Sequence, residues 1–134
     1  NYNQYKPEQK NHWGGVGYWT PPEGKQSFER FRLNKHISVH IMTSGKYKTS
    51  VPQKTWGYIH IDGDHSYRGI KKDFQLFWPS VRKNGYLVLH DIFTKDLGGL
   101  DYGVKKFWQE LRHSKKYNCI EIPGMLGIGI IQRI

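Results

Sequence analysis

Two short apolar runs, residues 56–62 (WGYIHID) and 86–91 (YLVLHD), each end in an aspartate, and a single amphipathic segment separates them. No other feature limits the possible folds as much. In the intervening segment Ile70, Phe74, Phe77, Trp78 and Val81 recur at i, i+4, i+7, i+8 and i+11, which is one face of a helix. Ser66 stands where a cap belongs, and Pro79 followed by KNG (83–85) predicts its close. Strand, helix, strand is a βαβ unit, so the two strands run parallel in one sheet. YLVLHD is nearly continuously apolar, as in a strand covered on both faces.

The flanking chain extends this pattern. Asp101 is positioned to cap a helix whose Val104, Phe107, Trp108 and Leu111 share a face. YNCIEI and LGIGIIQRI, around Pro123-Gly124, predict a hairpin. Upstream, ISVHIM (37–42) alternates like a strand, residues 44–54 read as a loop, and Ser27 would cap a short helix over 28–33. Residues 1–26, rich in Asn, Gln, Gly, Pro and Lys with interspersed aromatics, read as irregular. The expectation is one α/β domain over 1–134.

Composition limits the function classes. A chain of 134 residues, 37% hydrophobic and 15% aromatic, folds as one domain rather than remaining disordered. Its net charge of +10, spread along the chain, favours anionic partners. The lone Cys119 forms no disulfide within the chain and predicts a reducing, cytoplasmic setting. The apolar runs are too short to span a bilayer, so no membrane partner is expected. The opening NYNQYKPEQK has no apolar core of a signal peptide and no methionine, as a trimmed chain would.

Ligands of open parallel sheets bind beyond the carboxyl ends of the strands. Asp62 and Asp91 end two strands that, as neighbours, lie about 4.8 Å apart. With His90 and His65 beside them they form a candidate site for a divalent cation. His65 could instead serve as a general base. Gly63 admits close approach of a ligand or a positive φ. Structural roles compete: Asp64 or Ser66 as helix cap, His60 as a packed strand residue, and Lys71, Lys72 and Asp73 as a solvated face.

The blocks IDGDHSYRGIKKDF, WPSVRKNGYLVLHDI, GVKKFWQEL and PGMLGIGII, in this order, resemble the C-terminal half of a class I S-adenosylmethionine-dependent methyltransferase, closest to methyltransferase domain family 24. HWGG and SFERFRLNKHISVHIMTSGK are similar to segments upstream in that family. The resemblance implies a Rossmann-like sheet with residues 56–62 as its fourth strand, 86–90 as its fifth, and a closing antiparallel hairpin. It implies S-adenosylmethionine as cofactor, with Ser44 and Gly45 near the adenine and Asp62 and Gly63 at the same site. It implies O-methylation of a small-molecule or sugar hydroxyl, with Asp62 and Asp91 binding Mg2+ or another divalent cation, and His65 as base. His90 stands where relatives often carry an acid.

The family's first two strands, its glycine-rich loop and its ribose-binding acid have no counterpart here, so the sheet is expected to be truncated. Its fourth strand would then expose an unpaired edge, so strand three slides in to pair with it, another copy of the chain covers it, or the chain is a truncated gene product. Cofactor affinity of the isolated chain is expected to be weak. Two other classes stay open. The Asp62-Gly63-Asp64 triplet resembles the metal motif of glycosyl or nucleotidyl transferases, and the basic, aromatic N-terminal segment would suit a nucleic-acid-binding module.

Overall fold

A computed structural model describes residues 29–33, 35–40, 42–94 and 102–134. The chain divides into two compact units, Asn1–Tyr47 and Lys48–Ile134. The anticipated irregular segment 1–26, Ser27, Phe28 and the cap at Asp101 lie outside the described residues. No helix among the described residues is long and apolar enough to cross a membrane.

The first unit departs from two expectations. Residues 37–40 form no strand and Met42 sits in a bend. Ile37, Val39 and Met42 are 37%, 47% and 43% exposed, so the alternation of ISVHIM is not matched by a buried face. A strand needs a ladder to satisfy its backbone, and alternation alone does not supply one. The anticipated loop 44–54 instead begins with helix α1, Ser44–Ser50. Thr43 starts it: its Oγ1 accepts from Lys46 N at 3.4 Å and its carbonyl from Tyr47 N at 3.0 Å.

The second unit holds the sheet. Strands β1 (Trp56–Ile61), β2 (Val81–His90), β3 (Asn118–Ile122) and β4 (Ile128–Gln132) lie in the order β1-β2-β4-β3. β1 and β2 pair in parallel, and the hairpin β3–β4 adds two antiparallel strands. Helix α2 (Tyr67–Phe77) crosses between β1 and β2, and α3 (Val104–His113) follows β2.

Local chemistry sets these limits. Ser66 Oγ accepts from Gly69 N at 3.0 Å, while Asp64 Oδ1 accepts from Ser66 N at 2.9 Å. Both candidate caps therefore act at the start of α2. The helix ends at Phe77, four residues short of the anticipated Val81, and a 3-10 turn, Trp78–Ser80, follows. Pro79 has no N–H to continue the α-helical ladder. The Arg133 guanidinium donates to the carbonyls of Trp78, Pro79 and Val81 at 3.1, 2.8 and 2.8 Å. Val81 then opens β2, which slips in register between the pairs Trp56↔Val81 and Tyr58↔Tyr86. Asn84 turns through φ 62 in that bulge.

α2 contributes buried Ile70 and Phe74, and α3 contributes Val104, Phe107, Trp108 and Leu111, the face foreseen from its spacing. Both helices pack with Leu87, Leu89 and Ile131, which are wholly buried. Each such side chain contributes about 1.5–3 kcal/mol through removal from water. A Cβ on Gly129 would lie 2.7 Å from the Trp108 ring, so only glycine lets the indole rest on β4. The opposite face carries Tyr58, Tyr86, Ile120 and Ile122 at 59%, 39%, 47% and 47% exposure. Helices α2 and α3 cover one face, while on the other Val88 is buried at 5% exposure, so Leu87, Val88 and Leu89 are all buried as the apolar run of YLVLHD implied. Among the described residues β1 pairs only with β2.

Candidate active site

Asp62 follows the last residue of β1, and Asp91 follows the last residue of β2. The pairing of Ile61 with Leu89 carries both acids to the same end of the sheet. Asp91 leaves the strand at φ 63, a left-handed conformation that Asp tolerates better than most residues but that still stores strain. It is only 7% exposed, whereas the Asp62 side chain is 47% exposed. One carboxylate is buried and the other meets water.

His65 joins them from the loop that leads into α2. Its Nε2 lies 2.8 Å from Asp91 Oδ2 and 3.4 Å from Asp62 Oδ1. His90, the last residue of β2, places Nδ1 2.8 Å from Asp91 Oδ1 and 3.7 Å from Asp62 Oδ1. The shorter His90 contact is not an aligned hydrogen bond, since Asp91 Oδ1 is buried without a hydrogen-bond partner. A buried carboxylate oxygen lacking a donor marks a place where a proton, a ligand or a cation would be stabilised.

Asp62, His65 and Asp91 each offer a ligand atom within 4.8 Å of the others. Two carboxylates and an imidazole suit a divalent ion of intermediate softness, and the donorless Asp91 Oδ1 gives such an ion an anchor. His90 stands at the rim. It also lines a cleft of about 260 Å³ with Ile122, Pro123, Met125, Leu126 and Ile128, around the β3–β4 turn.

The remaining anticipated residues are placed differently. Gly63 has no positive φ, and nothing lies within 4 Å of where its Cβ would be. It is therefore neither strained nor crowded by the chain. Ser44 and Gly45 open α1, whereas the acids and histidines belong to the second unit. His60 is exposed on β1, with its ring 6.3 Å from that of His90, rather than packed in the core. Lys71 is not a merely solvated residue. It donates to Tyr67 Oη at 2.6 Å and to Glu110 at 3.3 Å, and these bonds raise its pKa. The hydroxyl of Tyr67 holds the Glu110 carboxyl below its usual range, with Lys71 adding to the effect.

Tyr102 also reaches the site. Its ring lies 5.5 Å from the His65 ring at 38°. A tyrosine far along the chain gives no local sign of contact with His65, and only the return of the chain at the start of α3 brings the two together.

The chain is similar to known proteins. The profile of a methyltransferase domain family matches residues 6–92. The match starts well before the two acid-ended strands and stops just after Asp91. An uncharacterized protein of Sinorhizobium fredii is 27% identical over 73 residues, covering 54% of this chain and 8% of that protein. The crystal structure of a Staphylococcus aureus protein described as a caffeoyl-CoA O-methyltransferase superposes with a TM-score of 0.68 at 14% identity, over 84% of this chain and 58% of that one. The chain thus spans less than two thirds of either protein. The likeness of the sheet and the extent of the family match agree with the motifs read from the two strand ends, and the chain belongs to the methyltransferase domain family, with a class I S-adenosylmethionine-dependent methyltransferase-like fold.

Proposed function

We propose that this chain supplies the acceptor-activating side of an S-adenosylmethionine-dependent O-methyltransferase acting on a hydroxyl of a small molecule or sugar. The observation that carries the reading is the convergence of Asp62, His65 and Asp91 at the carboxyl ends of two adjacent parallel strands. Methyl transfer is an in-line displacement: the acceptor oxygen bonds to the methyl carbon as the C–S bond breaks, and S-adenosylhomocysteine leaves. The hydroxyl proton must go to a base, and His65 receives it in this reading. The imidazolium so formed would lie 2.8 Å from Asp91 Oδ2 and 3.4 Å from Asp62 Oδ1, so both carboxylates stabilise it.

Asp62 and Asp91, completed by His65 or His90, are the residues that would hold a divalent cation. When bound there, the ion supplies Lewis acidity that eases loss of the hydroxyl proton. Asp62 and Gly63 are the proposed contacts of the cofactor in the second unit. Asp64 supports this assignment indirectly. Its carboxylate accepts from Ser66 N and lies against Gly69, so it serves the helix start instead of pairing with Asp62 on a metal.

The test is calorimetric titration with S-adenosylhomocysteine, with and without Mg2+ or Mn2+, on this chain and on a version extended at its N-terminus. Saturable binding by the extended chain, weakened in Asp62→Asn, is the expected result. No heat from either form in any metal would sink the proposal.

A further inference from the structure

The connection between β2 and α3 touches the site at both ends. It leaves β2 through Asp91, which faces His65 Nε2, and it returns through Tyr102, whose ring lies 5.5 Å from the His65 ring. The next residue, Gly103, donates its N–H to the His65 carbonyl at 2.8 Å. The loop bearing His65 is therefore held through both its backbone and its ring.

The fit at Gly103 leaves no slack. A Cβ there would lie 2.2–2.3 Å from Tyr67 N, Cα and Cβ, so only glycine allows the start of α3 to lie against the start of α2. Further along, Tyr67 Oη donates to the Glu110 carboxylate at 2.7 and 2.8 Å. The Lys71 and Lys106 ammonium groups sit 5.0 and 4.7 Å from the centre of the Tyr67 ring. These contacts hold the two helices in one mutual position, and with them Tyr102 over His65.

We infer that Tyr102 is a positioning residue: with Gly103 fixing the backbone, its ring sets the tilt of the His65 imidazole toward Asp91 and Asp62. The inference deepens the reading of His65 as proton acceptor and rests on it for its catalytic meaning, but not for its geometry. The role belongs to the ring of Tyr102, and aromatic contacts hold rings in preferred mutual orientations. Displacing a reacting group by about 1 Å can cost up to about a hundredfold in rate, and loss of one orienting contact should cost about tenfold.

The experiment compares Tyr102→Phe, Tyr102→Leu and Tyr102→Met in the full chain by NMR with histidine-labelled protein, followed by methyl-transfer kinetics in the N-terminally extended form. The His65 ring protons should carry an upfield ring-current shift that survives in Tyr102→Phe and disappears in Tyr102→Leu. Tyr102→Met, also without a ring, repeats the comparison should the leucine variant fail to fold. In the kinetics, kcat should fall about tenfold in the ringless variants, with KM for S-adenosylmethionine within about twofold of the parent. Unchanged His65 shifts in a folded ringless variant would overturn the inference, as would an equal loss of kcat in Tyr102→Phe. If the parent enzyme shows no turnover, the methyltransferase reading fails, while the His65 Nε2 nitrogen shift still decides the positioning role: it should move in the ringless variants as the contact with Asp91 loosens, and an unmoved value would overturn the inference.

Discussion

Two groups of acidic residues in the second unit are built on opposite plans. Glu110 and Glu121 sit on the helix side of the sheet, each with a carboxylate oxygen that accepts from two donors. Glu110 takes Tyr67 and Lys71, and Glu121 takes Trp108 Nε1 at 2.6 Å and Arg112 at 2.8 Å. Asp91 is more deeply buried, lies in a left-handed turn and keeps one buried oxygen without a hydrogen bond. Satisfied acids of the first kind serve the fold. An acid held under strain and short of a donor is stability given up, and such sites are where function is found.

This contrast can be broken experimentally. The largest effect is expected for Asp91→Asn, which keeps the shape and tolerates the left-handed turn but removes the charge facing His65. Methyl transfer by the extended chain should fall about a hundredfold or more, with the fold unchanged by circular dichroism. A rate within threefold of the parent would show that Asp91 is as structural as Glu121. Next is Glu121→Ala, which strands the buried indole N–H of Trp108. Denaturant unfolding should show a loss of about 1–3 kcal/mol, while affinity for S-adenosylhomocysteine stays the same. Binding that weakened in step would join the two groups into one.

Asp91→Gly sharpens the comparison from the other side. Glycine relieves the φ of 63, so the variant should gain about 1 kcal/mol in thermal unfolding while activity is lost. A lower melting temperature would mean that Asp91 supports the fold after all. The smallest effect concerns Glu110. Its folded pKa is depressed, so its contribution is present above the ordinary glutamate range and is lost as pH falls through the lower, folded value. Lys71 is raised, so its contribution persists through neutral pH and is lost only above the ordinary lysine range. In Tyr67→Phe the acid-side part of this dependence should shrink, as read from melting temperature against pH. An unchanged profile would remove the Tyr67 link.

Much of the site could be read before the fold was known. Asp62 and Asp91 stand at the ends of strands joined by one helix, so both point to the same end of the sheet, and the pairing of β1 with β2 makes them neighbours. The helix faces of α2 and α3 and the closing hairpin followed from periodicity, which burial enforces directly. The failures have equally physical causes. ISVHIM has strand-like alternation, yet among the described residues, 37–40 join no strand ladder and are not a strand. The Ser44-Gly45 pair looks like a turn, but Thr43 offers both its hydroxyl and its carbonyl to the next residues, and a helix starts there. Val81 fits the apolar stripe of α2 but lies beyond Pro79, where the chain cannot stay helical and enters β2 instead.

By itself, then, the sequence determined the order of elements from Trp56 onward, the apolar faces of their helices and which acids stand at the strand ends, because these depend on spacing along the chain. The tertiary structure decided which carboxylate is buried and strained, that His65 Nε2 turns between the two acids, and that Tyr102 comes to rest on its ring. Those outcomes depend on contacts between residues far apart in the chain. Only the packing of α2 and α3 against one another and against the sheet fixes them.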